Sequence, residues 1–363
     1  MALQTKSVGN PAEDPNLDIL RSVAVLAVFG THTLQVIAGC KYGEHFAYGV
    51  ETYAVGRIGV LLFFVHTSTV LMQSLERTAK RLFRWPLVLH FYIRRMFRIY
   101  PLSVCLILLS ITLSIPPNAL NVPFRSHGMK SLVANLLLIQ NITGNRDVAS
   151  PLWSLPYEVQ MYLVLPILFL SLRGSKAFAR LGLLYLNGII LGVFFPLCQY
   201  VPCFLAGVIA YQLLRTLKPR FPGRLWCPAM IGTAILYTIT PESWSKDVLC
   251  CLAVGLSIPL FYRKAGIIAT CASHIAKYSY GIYVCHTPVL WLLYRKLTLP
   301  AWQRLSGLVI LTGILSVVCY YVIEHPLIQI GARLANKVSM KNSQSAAWTE
   351  IRSAPAAPQV ECP

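Results

Sequence analysis

Apolar runs near 18–38, 54–75, 98–115, 152–172, 181–198, 200–214, 226–240, 247–262, 278–294 and 304–324 alternate along this chain with short polar connections. A helix needs about 20 residues to cross a bilayer, within a range of about 17–25. The pattern predicts an all-α fold, a polytopic membrane helix bundle of about ten transmembrane helices. One further stretch, "SLVANLLLIQN" at 131–141, has only eleven residues, and hydropathy does not decide whether it crosses.

Charge decides it. Only 12% of the 363 residues are charged and 56% are hydrophobic, whereas a soluble domain carries about 25% charged residues. The formal net charge of +19 would suggest nucleic acid in a soluble protein. Here the basic residues gather in the short connections, as the positive-inside rule expects, so no nucleic-acid partner is implied. Suppose 131–141 does not cross and the N-terminus is cytoplasmic. The cytoplasmic side then holds 23 of the 32 Lys and Arg residues and the other side nine. If 131–141 crossed, the connections 173–180, 215–224 and 263–277 would change sides and the bias would largely vanish. The expectation is therefore a short re-entrant or interfacial helix near 131–141 and two cytoplasmic termini.

Residues 1–16 read as a polar cytoplasmic N-terminus before an uncleaved signal anchor. Residues 17–334 read as one membrane domain, and 335–363 as a disordered cytoplasmic tail, being small, polar and Pro-bearing. "ERTAKRLFRWPLVLHFYIRRMFR" (76–98) mixes Arg and Lys with Phe, Trp and Leu, and reads as an amphipathic interfacial segment broken at Pro86. The 11 cysteines form no CxxC pair and no zinc-spaced set with histidine. Cys105, Cys250, Cys251 and Cys319 lie in apolar runs and read as buried small hydrophobes, so no metal is expected.

Ionisable groups within apolar helices are costly, and they mark function by default. In "LDILRSVAVLAVFGTH" (17–32), Arg21 and His32 are eleven positions apart. At 100° per residue they share one face to within about 20°, and at 1.5 Å per residue they are about 16 Å apart. Arg21 then sits at the cytoplasmic mouth, where a topology-setting arginine is also expected. His32 lies well inside, where helix packing is its other reading. Glu158, in "PLWSLPYEVQMYLVLPILF", is expected at the depth of His32, where the two could form a buried acid/base pair. Its alternative is a lone protonated carboxyl capped by Trp153 or a tyrosine. His66 and His286 each precede a threonine (Thr67, Thr287) and are weaker candidates.

The chain has no GxSxG elbow, Walker A loop or GxGxxG, and no histidine is followed by Asp five positions later. Any chemistry must arise at the embedded polar residues.

These segments, in this order, resemble the acyltransferase-3 family of integral-membrane O-acyltransferases. "LDILRSVAVLAVFGTH" is similar to its first-helix motif, "GVLLFFVHTSTVLMQSL" to its second helix, and "FYIRRMFRIYP" to the Arg-rich entry of the third. "PLWSLPYEVQMYLVLPILF", "YSYGIYVCHTPVL" and "YVIEHPLIQI" resemble its later elements, so the likeness covers about 14–334. The resemblance implies about ten helices and transfer of an acyl group, usually acetyl, from cytoplasmic acyl-CoA to a hydroxyl of a glycan, glycoconjugate or lipid-linked sugar. It implies a catalytic role for His32, paired with Arg21 and supported by Glu158. It implies donor contacts from Arg95 and Arg98, with Arg94 beside them. His66, Ser68, Trp153, Ser154 and His286 become candidates for the substrate pocket. The implied place is a bacterial inner membrane. One departure is Thr67-Ser68-Thr69, where family members often carry Ser-Gly-Phe. Losing that glycine alters how closely a helix or ligand can approach. Two other readings compete: a transporter with a His32/Glu158 proton relay, and a catalytically silent scaffold.

Overall fold

The computed structural model describes residues 14–42, 50–82, 84–117 and 128–338. They form helices α1 (Pro15–Tyr42), α2 (Val50–Ala79), α3 (Trp85–Thr112), α4 (Met129–Leu136) and α5 (Gln140–Thr143). A 3-10 turn, Ser150–Ser154, leads into α6 (Leu155–Ser171), followed by α7 (Ala177–Phe194), α8 (Val201–Thr216), α9 (Trp226–Ile239), α10 (Trp244–Ser257) and α11 (Ile267–Trp291). The last helix, α12 (Ala301–Cys319), continues through a π-turn at Tyr320–Glu324 and on to Val338. The described residues contain no strand, only one isolated bridge between Phe221 and Phe261.

Seven helices are long and apolar enough to cross a membrane by length and composition. The runs expected at 226–240 and 247–262 do form helices, but α9 and α10 have only 14 residues each. At 1.5 Å per residue that is about 21 Å, short of a hydrocarbon core of about 30 Å. α11 is longer, at 25 residues, but carries more polar groups.

α2 is the central element, packed against α1, α6, α8, α9 and α10, and it is the most completely buried of the seven. Small residues let backbones approach closely along this core. A Cβ on Gly207 of α8 would be driven into the Val65 carbonyl and the Ser68 hydroxyl of α2. Ser68 is fully buried there, donating to the Phe64 carbonyl at 2.6 Å. The glycine missing beside Thr67 is thus matched by one on the opposing helix. Overpacking typically costs about 1–3 kcal/mol, and here the clash is with backbone, which cannot rotate away. Gly207→Ala is expected to lower the thermal unfolding midpoint of the detergent-purified protein by several degrees. An unchanged midpoint would show that the two helices can separate freely.

The basic connections that the charge count puts on one side do gather at one end of the bundle. Arg215 pairs with Glu76 at 3.1 Å and Arg263 with Asp14 at 3.9 Å. Asn16 ties the start of α1 to the Tyr262 carbonyl and the Lys264 amide. Such exposed ion pairs add little stability, about 0–1 kcal/mol each, so they matter here as position markers. At the other end, fully buried Asp247 accepts from Arg57 Nε at 2.9 Å and from the Tyr237 hydroxyl at 2.6 Å, joining α2, α9 and α10.

Three expectations need correction. Segment 76–98 is not a separate piece broken at Pro86: the chain turns after Ala79, and Pro86 lies in the first turn of α3, which then runs on to Thr112. Proline is tolerated there because its missing N–H has no partner in a helix's first turn. Cys250 and Cys251 are buried, whereas Cys105 is exposed and Cys319 half-buried. The C-terminal helix passes the expected boundary at 334; residues 1–13 and 339–363 lie outside the described residues.

The 131–141 stretch is split between α4, eight residues and about 12 Å long, and the start of α5, so it cannot cross. The Leu137 carbonyl after α4 accepts from Tyr100 at 3.0 Å, so it lies beside the middle of α3. Buried Asn135 holds the return, donating to the Ser131 and Arg146 carbonyls and accepting from the Val148 amide.

Candidate active site

Four helices bring cationic and acidic groups to one cleft. α3 contributes Arg95 and Arg98, which share a face because residues three apart on a helix are neighbours. α1 contributes Arg21, α2 contributes His66 and Thr67, and α6 contributes Glu158 and Tyr162. Tyr280 and Tyr283 of α11 close the far wall of a cavity of about 90 Å³.

Within it, Glu158 is held by its own helix. The Tyr162 hydroxyl, one turn on, donates to Oε1, and Thr67 Oγ1 makes a longer contact of 3.4 Å. Among the described residues, none of Arg21, Arg95 and Arg98 lies within 4.0 Å of a carboxylate. The Arg95 guanidinium leans over the Phe91 ring at 5.9 Å, and its Nε has no hydrogen-bond partner among the described residues. The cleft lining thus sets three guanidiniums against one carboxylate already engaged by a phenol, with the buried carboxylate of Glu324 near Arg21 and Arg98. Their forked donors suit phosphate, carboxylate or a developing oxyanion, and exclusion of water strengthens that attraction.

His32 does not line this cleft. It lies three turns further along α1 than Arg21, and its Nδ1 is 2.7 Å from Nε2 of His286 on α11. The expected His32–Glu158 pair is therefore not formed. Glu158, in the first turn of α6, lines the cleft with Arg21 instead. The proton relay of the transporter reading loses its direct contact by the same displacement.

Tyr283 connects the two sites. It lines the cleft, and its hydroxyl contacts the Pro151 carbonyl at 2.7 Å and Ser154 Oγ at 2.8 Å. His286 follows it by one turn, with ring centroids 6.2 Å apart.

The other expected residues divide. His66 and Ser154 line the cleft. Ser68 faces α8, and Trp153 packs on Tyr200 at 5.8 Å, away from the cleft. Arg94 turns into a small neighbouring crevice with His90 and Thr78. Tyr162, four positions after Glu158 and one turn away, was detectable from that spacing but not singled out. Glu324, in "YVIEHPLIQI", was also missed; it is buried with both carboxylate oxygens unpartnered among the described residues.

The long apolar helices and the polar cleft they enclose define an integral membrane protein with an embedded polar centre. Residues 14–324 match the family model described as an acyltransferase domain, and the chain belongs to the acyltransferase-3 family. No curated protein and no solved structure matches it.

Proposed function

We propose that this protein moves an acyl group, acetyl in the simplest case, from cytoplasmic acyl-CoA to a hydroxyl of a glycan or glycoconjugate. The observation that carries this reading is the convergence of Arg21, Arg95 and Arg98 on one cleft, with His32 further along the face of Arg21. The arginines receive phosphate oxygens of the donor, and the pantetheine arm spans the roughly 16 Å between Arg21 and His32. His32 takes the proton of the acceptor hydroxyl as its oxygen bonds to the thioester carbonyl carbon. The C–S bond then breaks, and the same proton passes to the leaving thiolate, giving an ester and free CoA thiol. Glu158 offsets part of the charge of the arginines when the donor is absent. About ten spans with both termini cytoplasmic, in a bacterial inner membrane, would set the donor cleft facing the cytoplasm.

The test is transfer of label from acetyl-CoA into glycan and glycolipid fractions by membranes containing the protein. Ester-linked label that depends on the protein supports the reading. Substrate flux in sealed vesicles without acyl-CoA, and no ester, would favour the transporter.

A further inference from the structure

The geometry points to His286 as a positioning residue that holds the neutral His32 ring with its proton on Nδ1 and its lone pair on Nε2. This rests on the acyl-transfer reading for its purpose, but its evidence is geometric.

The two rings meet with an N···N distance of 2.7 Å, a centroid separation of 5.0 Å and an interplanar angle of 15°. That centroid separation is about the largest that so short an N···N contact allows. The rings therefore lie end to end in nearly one plane, with an N–H of one aimed along the lone pair of the other. Which ring donates follows from the far side of His286. Its Nδ1 lies 3.1 Å from the carbonyl of Ile282, one turn back on α11. A carbonyl only accepts, so His286 Nδ1 carries a hydrogen. In the neutral ring Nε2 is then the acceptor, and His32 Nδ1 must donate to it.

A doubly protonated His286 would reverse this assignment. That cation would be fully buried, and an unpaired buried charge is costly. Among the described residues its side-chain neighbours are Phe29, His32, Tyr283 and Thr287, with no carboxylate among them. Thr287 Oγ1 lies 3.3 Å from the same Nε2, a longer contact than the one to His32. Among the described residues, no hydrogen bond occupies His32 Nε2. That is the nitrogen left to accept a proton, and once it has done so, His286 still accepts from Nδ1 and steadies the cation. The Ile282 carbonyl thus orients one imidazole, which orients the next, much as a carboxylate orients the histidine of a catalytic triad.

Two measurements test this, and the first needs no activity. In protein labelled with 15N-histidine in proteoliposomes, NMR distinguishes protonated from bare ring nitrogens, and His32→Asn identifies the His32 signals by their loss. The expected result is a protonated Nδ1 and a bare Nε2 on His32, with the two tautomers mixed in His286→Ala. A proton on Nε2 of His32 in the unaltered protein overturns the proposal. The second measurement is acetyl-transfer kinetics. His286→Ala is expected to lower kcat about 10²-fold, less than the roughly 10⁴-fold that the wrong tautomer costs a triad, with the KM for acetyl-CoA unchanged. His286→Gln, whose side-chain oxygen can accept from His32 Nδ1, is expected to recover about tenfold of that loss. Equal kcat in His286→Ala and the unaltered protein overturns the positioning role. If the unaltered protein transfers no acyl group, the acyl-transfer reading fails, and the spectra alone decide the tautomer.

Discussion

His32→Ala is expected to abolish acyl transfer, with the protein still inserting and purifying as a folded species. A general base contributes about 10²–10⁴-fold, and among the described residues no other imidazole is placed to replace this one. His286 directs its Nδ1 to a carbonyl, and His66 is buried at the level of Arg21. Removing the ring also leaves His286 Nε2 without its shorter partner, a modest local penalty of about 1–3 kcal/mol. The measurement is incorporation of labelled acetyl in membranes with matched amounts of protein, alongside size-exclusion elution. Ordinary transfer by the His32→Ala protein would remove His32 from the chemistry altogether.

The second large effect is expected from Arg95→Ala combined with Arg98→Ala. Charge-assisted hydrogen bonds of this kind are worth about 1.5–3 kcal/mol each, or roughly 10–150-fold in affinity. The two losses should not add fully, because both guanidiniums face the same cleft. The apparent KM for acetyl-CoA is expected to rise at least tenfold, with kcat changed less. Replacement by lysine should restore only part of the affinity, since lysine keeps the charge and loses the fork. A donor KM unchanged in the double alanine protein would remove the phosphate role from α3. Arg94→Ala provides the comparison, because Arg94 turns into the neighbouring crevice and its loss should matter less.

Much of the cleft was legible in one dimension. Arg21 and His32 were readable as one face of one helix because rotation and rise per residue are constants of the α-helix. Arg95 and Arg98 share a face for the same reason, and so do Glu158 and Tyr162. The depth of Glu158 was not legible. It depends on how α6 is seated against α2 and α3, which the apolar run by itself does not encode. Ser68 was a similar case: its motif suggested a pocket, but it faces α8, where Gly207 gives it room.

That the chain is helical, where its long apolar helices run, which connections gather at one end, and its family can all be read along the chain. Those properties follow from local periodicity, segment length and charge, all of which are additive along the chain. It is the packing of the helices that sets Glu158 with the arginines, and His32 with His286, 254 residues away. No local rule spans that separation. It is settled by which helices pack side by side, and here α1 lies between α2 and α11.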